Sequence, residues 1–105
     1  MKVIGVTLAR GGSKGIPNKN MALVGGKPLI EYTLIEAKKS KLIDRYIVST
    51  DDPKIASFAN SKKVETPFMR PAILASDTAT SAAALKHAVE FCEAQEKIKY
   101  DLVIE

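Results

Sequence analysis

Apolar residues fall in short blocks separated by polar stretches rich in glycine and proline, and the spacing within the blocks changes along the chain. Residues 3–8, Val-Ile-Gly-Val-Thr-Leu, form a nearly continuous apolar run, the pattern of a strand covered on both faces. Residues 21–24, Met-Ala-Leu-Val, are short and apolar. Gly25 and Gly26 then force a turn, and Pro28 predicts a helix over 28–40 with proline in its first turn. Within that helix Ile30, Leu34 and Ala37 repeat at i, i+4 and i+7, while Glu31, Glu36, Lys38 and Lys39 fall elsewhere. Residues 44–50, Asp-Arg-Tyr-Ile-Val-Ser-Thr, predict a second strand. Asp51, Asp52 and Pro53 supply a cap and a proline start for a helix to about residue 62, with Ile55, Phe58 and Ala59 inward. Pro67 and Pro71 exclude a long helix from 64–75 and predict a short edge strand and an extended loop. Cap candidates in 76–81 precede a helix to about residue 96, with Leu85, Val89 and Cys92 on its buried side. Residues 100–105 begin another apolar strand. This alternation predicts an α/β fold, a parallel sheet with right-handed crossovers.

Composition narrows the class. With 105 residues, 46% of them hydrophobic and 27% charged, the chain fits one soluble globular domain, residues 1–105, without repeats or linkers. The net charge of +4 is mild, and the cations gather near glycines and helix ends, so small anions fit better than nucleic acid. No tryptophan is present, and no aromatic interleaves with the lysines and arginines as a base-stacking platform requires. The single cysteine, Cys92, excludes an internal disulfide and reads as a small core residue, which fits a cytoplasmic protein. A strand directly after Met1 leaves no room for a signal peptide, and no apolar run approaches a membrane span. Because the final strand pattern stops without turn or polar tail, the expectation is a chain truncated at its carboxyl end.

Residues 8–20 carry the densest chemistry. Gly11, Gly12 and Gly15 let backbone N–H groups turn toward an anion, and Arg10, Lys14 and Lys19 can neutralise phosphate oxygens. Ser13 and Asn20 can add hydrogen bonds. Following a buried strand, this is the composition of a polyphosphate cradle, although neither Gly-x-Gly-x-x-Gly nor the Walker pattern is present. A glycine-rich surface turn with solvated lysines is the competing reading.

Four segments resemble one family. Residues 9–20, Ala-Arg-Gly-Gly-Ser-Lys-Gly-Ile-Pro-Asn-Lys-Asn, are similar to the amino-terminal motif of the CMP-sialic acid synthetases, the acylneuraminate cytidylyltransferases. Residues 26–30 (Gly-Lys-Pro-Leu-Ile), 47–52 (Ile-Val-Ser-Thr-Asp-Asp) and 70–81 (Arg-Pro-Ala-Ile-Leu-Ala-Ser-Asp-Thr-Ala-Thr-Ser) match further motifs in the family's order. The resemblance implies a Rossmann-like three-layer nucleotidyltransferase sheet, glycosyltransferase-A-like, of which this chain is the amino-terminal nucleotide-binding half. It also implies transfer of CMP from CTP to a nine-carbon keto sugar acid, a sialic, legionaminic or pseudaminic acid, with release of pyrophosphate. By the same resemblance Arg10, Ser13, Lys14, Lys19 and Asn20 contact the nucleotide phosphates and ribose, with Arg10 and Lys19 stabilising transition-state charge. Arg70 and Ser81 read cytosine. On residue type alone Arg70 is an ordinary surface ion pair and Ser81 a helix cap.

The resemblance further implies Mg²⁺, held by aspartates outside this chain, and a homodimer at full length. Asp51, Asp52 and Asp77 are read as carboxylates at helix starts and not as metal ligands, and His87 as solvated. Two alternatives compete with the transferase: a non-catalytic nucleotide-binding or regulatory module, and a related nucleotidyltransferase using another base.

Overall fold

The computed structural model describes residues 1–11, 19–76 and 79–105. In chain order its elements are β1 (Val3–Leu8), β2 (Leu23–Val24), β3 (Lys27–Pro28), α1 (Leu29–Lys38), β4 (Arg45–Ser49), α2 (Pro53–Ser61), α3 (Ser81–Glu96) and β5 (Leu102–Ile104). Short 3₁₀ turns occupy Lys19–Met21 and Ala72–Leu74.

β1 runs through the middle of a parallel sheet in the order β4-β1-β5. It pairs with β4 from Ile4 opposite Arg45 to Leu8 opposite Ser49, and with β5 from Val3 opposite Leu102 to Gly5 opposite Ile104. Side chains alternate across a strand, so each strand feeds two cores. On one face Ile4, Val6 and Ile47 meet Ala88 and Cys92 of α3. On the other Ala9 and Val48 meet Ile30 and Leu34 of α1, Ile55 and Ala59 of α2, and Val64. The result is the parallel α/β sheet expected from the alternation of elements, in the three layers that the resemblance implies. Each fully buried isoleucine or leucine in these cores contributes roughly 1.5–3 kcal/mol by leaving water.

The segment after β1 departs from the expected pattern. Pro28 does not open a helix; its backbone is extended (ψ 141°) and it pairs with Leu23 in an antiparallel hairpin of β2 and β3. Gly25 (φ +58°) and Gly26 (φ +85°) form the two-residue turn, which needs left-handed backbone at both positions. The Leu29 N–H is committed to the Ala22 carbonyl at 2.8 Å, so the hairpin is closed before α1 begins.

α2 starts as expected: Asp52 Oδ1 accepts from the Lys54 N–H at 2.8 Å and Pro53 fills the first position. Residues 64–70 run beside β4 through parallel bridges of Glu65 to Ile47 and Met69 to Thr50, in agreement with a short edge strand. In α3 the buried stripe is Ala84, Ala88 and Cys92, with Leu85 and Val89 half-buried beside it. His87 is therefore not solvated. It is half-buried, its ring edge-on to Phe68 with centroids 4.7 Å apart. Among the described residues no helix is long and apolar enough to cross a membrane.

At the amino end of β4, Arg45 joins three segments. Its Nε and Nη2 donate to the two Glu65 carboxylate oxygens at 3.1 and 3.0 Å, Nη1 to Glu96 at 2.6 Å, and Nη2 also to Gln95 at 2.7 Å. Burial alone would lower the Arg45 guanidinium; hydrogen bonding, foremost with Glu65, holds it above its ordinary value instead. Against the effect of partial burial, the adjacent Tyr100 hydroxyl and Arg45 hold the Glu96 carboxyl below its ordinary 4.5. A carboxyl lowered in the folded state adds stability above its unfolded value and loses it as pH falls through the folded one. Arg45→Ala should therefore lower unfolding free energy by about 1–2 kcal/mol at neutral pH, the range of a bidentate pair within a network. In urea titrations the gap between wild type and variant should narrow as pH drops below 4.5.

Candidate functional site

The site forms at the carboxyl ends of β1 and β4, where parallel α/β sheets place ligands. Ser49 and Thr50 close β4 and are fully buried. The Ser49 carbonyl accepts from the Ala9 N–H at 3.0 Å and from Arg70 Nη2 at 2.6 Å. Ser49 Oγ accepts from Arg70 Nε at 3.0 Å, and the Thr50 carbonyl accepts from the Arg70 N–H at 2.7 Å. Arg70 Nη1 reaches the Leu74 carbonyl at 3.3 Å.

Arg70 is thus not a surface ion pair. It is 6% exposed, and among the described residues no carboxylate lies within ion-pair distance of it. Burial lowers its guanidinium from the ordinary value; the negative charge of Asp51 opposes that shift and the positive charge of Arg10 adds to it. A guanidinium remains charged despite such a shift, so a desolvated cation faces the cleft.

That cleft, of about 260 Å³, brings together Arg10, Asn20, Arg70 and Ser81, with Leu8 and Leu74 among its apolar walls. Ser81 is the first residue of α3, but the cap belongs to Thr80, whose Oγ1 accepts from the Ala83 N–H at 3.0 Å. Ser81 lines the cleft and is not the cap expected from residue type. Asn20 also braces the backbone, since its Nδ2 donates to the Arg10 carbonyl at 3.2 Å and ties together the two sides of the glycine-rich segment. Arg10 extends Nη1 toward the Ala75 carbonyl at 3.5 Å. Ser13 and Lys14 lie outside the described residues, as does Asp77. Lys19 opens the first 3₁₀ turn, and only its backbone is described.

The sequence pattern marks Asp51 only as a carboxylate at a helix start, yet Asp52 alone caps α2. Asp51 Oδ1 accepts from the Gly11 N–H at 2.9 Å, where the chain leaves β1. A Cβ on Gly11 would lie 2.7 Å from Asp52 Cβ and Oδ2, so this position requires glycine for close approach. Two adjacent aspartates before a helix that needs one cap mark a spare carboxylate in the sequence, and its partner follows only from the sheet register.

The arrangement suits an anion bearing hydrogen-bond acceptors: two guanidiniums, an amide, a hydroxyl and the amino end of a 16-residue helix face one cleft. Among the described residues no group of three or more His, Cys, Asp or Glu could hold a metal, and both Asp51 and Asp52 already accept from backbone N–H groups.

Comparison with known proteins agrees with this geometry. Residues 4–100 match the family described as cytidylyltransferase. The chain is 41% identical to the pseudaminic acid cytidylyltransferase of Campylobacter jejuni strain 81-176 over 98% of its own length and 44% of that protein. It is 41% identical to the CMP-N,N'-diacetyllegionaminic acid synthase of Legionella pneumophila over 74% of its length and 34% of that protein. The solved structure of CMP:2-keto-3-deoxy-manno-octonic acid synthetase complexed with CTP superposes with a TM-score of 0.73 at 22% identity. That superposition covers 98% of this chain and 38% of the other, and shows the shared fold. The chain spans less than half the length of these relatives. A match reaching from the first strand to the segment before the last leaves no element of the cleft outside it, and the chain belongs to the cytidylyltransferase family.

Proposed function

We propose that this chain is the nucleotide-binding part of an enzyme that transfers CMP from CTP to a nine-carbon keto sugar acid, with release of pyrophosphate. The observation that carries the reading is the convergence of Arg10, Asn20, Arg70 and Ser81 on one cleft at the carboxyl ends of the strands. The relatives named for pseudaminic and N,N'-diacetyllegionaminic acid support the acceptor class.

In this reading Arg10 and Lys19 offset the charge that builds on the α-phosphate and the leaving pyrophosphate. Ser13, Lys14 and Asn20 contribute further contacts to phosphates and ribose. Such transfer depends mainly on positioning and on electrostatic stabilisation, which preorganised cations and backbone N–H groups supply. Arg70 has five N–H donors, three of them directed at Ser49 and Leu74, which leaves two for the acceptors O2 and N3 of cytosine. Uracil would present its own N–H at N3 and meet donor with donor. Mg²⁺ would offset phosphate charge, and the resemblance assigns its ligands to residues outside this chain. The buried free Cys92 supports a reducing, cytoplasmic setting.

Titration calorimetry of the 105-residue chain should show CTP binding at least about tenfold tighter than UTP or ATP, the scale of one mismatched buried hydrogen-bond pair. Equal affinity for all three would remove cytosine recognition.

Ser81→Ala should weaken CTP severalfold at an unchanged melting temperature. Thr80→Ala, which removes the cap, should instead cost about 1 kcal/mol of stability. In a form of the protein that releases pyrophosphate, Lys19→Ala should lower kcat by about a hundredfold, as loss of one charge-stabilising donor does. An unchanged rate would take Lys19 out of the mechanism.

A further inference from the structure

The Asp51 carboxylate has no place in the proposed chemistry: it is not among the residues that line the cleft, and its Oδ1 accepts from the backbone N–H of Gly11. We propose that Asp51 is a positioning residue, which fixes the direction in which the glycine-rich segment leaves β1 and so sets the affinity of the site for polyphosphate. The proposal rests on the nucleotide reading above and adds a residue that acts through the backbone.

Three observations carry it. First, the bond is charge-assisted and partly buried: an ionised carboxylate accepting a backbone N–H at 2.9 Å is about twice as strong as a neutral pair. Second, the neighbouring contacts leave Gly11 no freedom to compensate. The Asp52 side chain occupies the place where a Gly11 Cβ would stand, and Asn20 holds the Arg10 carbonyl at 3.2 Å from the opposite side of the segment. Third, the negative charge of the same carboxylate acts on buried Arg70, so one group serves both the phosphate side and the base side of the cleft.

A cradle built from backbone N–H groups gains affinity from being set before the ligand arrives, because ordering it on binding would subtract from the binding free energy. Asp51 supplies that order at the first residue of the segment. Metal ligation is the rival role for such a carboxylate. Its oxygen is already committed to Gly11, and no third ligand stands near among the described residues.

The test compares wild type with Asp51→Ala, Asp51→Asn and Asp51→Glu on the 105-residue chain. CTP dissociation constants are measured by calorimetry in Mg²⁺ and in EDTA, and amide hydrogen exchange of Gly11 is measured without nucleotide. Removing the acceptor in Asp51→Ala should speed Gly11 exchange and weaken CTP, each by about tenfold, equally with and without the metal. Asp51→Asn keeps an oxygen at the same reach without the charge and should restore part of both losses. Asp51→Glu keeps the charge but displaces the oxygen, should behave like Asp51→Ala, and decides the matter if the alanine variant does not fold. Wild-type exchange at Gly11 in both Asp51→Ala and Asp51→Glu would overturn the proposal, as would a CTP defect confined to Mg²⁺ and shared by Asp51→Asn. A wild type that binds no CTP refutes the nucleotide reading, and the Gly11 exchange rates still decide whether Asp51 anchors the segment.

Discussion

The backbone of Ser49 and Thr50, where β4 ends, holds the cleft together. One carbonyl, that of Ser49, accepts both the Ala9 N–H that extends the β1–β4 ladder and the guanidinium of Arg70. The next carbonyl, that of Thr50, accepts the backbone N–H of Arg70, and Thr50 Oγ1 accepts from the Asp52 N–H at 3.0 Å. Asp51 and Asp52 then turn outward to hold Gly11 and to cap α2. Four consecutive residues thus connect the glycine-rich segment, the buried Arg70 and a helix start. Since buried backbone groups must find partners, each of these bonds also satisfies a group that would otherwise stay unpaired.

This constraint explains which parts of the chain are legible in advance. The strands stand out as apolar runs, and α2 by its Asp-Pro start, because these signals are local. The hairpin of β2 and β3 is harder to read: two-residue strands are too short to show alternation, and Pro28 after Gly25-Gly26 carries the same signature as a helix start. In α3 the expected stripe of Leu85 and Val89 gives way to Ala84 and Ala88, since alanine adds little apolar signal although its small side chain lets a helix lie close to a sheet. The half-buried place of His87 depends on Phe68, which no spacing within α3 can reveal.

The site is legible in a different way. Resemblance brings Arg10, Asn20, Arg70 and Ser81 into one expectation, and the fold brings them to one cleft. What no local pattern contains is the pairing of Asp51 with Gly11, 40 residues apart in sequence. It follows from topology: a parallel register that sets Leu8 opposite Ser49 carries the chain beyond each strand to the same place. Only after the register is known does a second aspartate before a capped helix acquire a role.

Two arginines near opposite ends of β4 show how the same side chain is given different work. Arg45, at the amino end, lies between the carboxylates of Glu65 and Glu96, which neutralise it and raise its guanidinium above the ordinary value. Its charge is spent within the protein, and it ties β4 to the edge segment and to α3. Arg70, packed against the carboxyl end, is held by the neutral acceptors of Ser49 and Leu74, and burial lowers it. Neutral dipoles fix its orientation without cancelling its charge, so its field extends into the cleft beside that of Arg10. Holding a cation whose described hydrogen-bond partners are neutral in a partly dry site is unfavourable to folding, and an anion bound in the cleft would relieve that cost. The electrostatic asymmetry along one strand therefore sets the end of the sheet at which a nucleotide would bind.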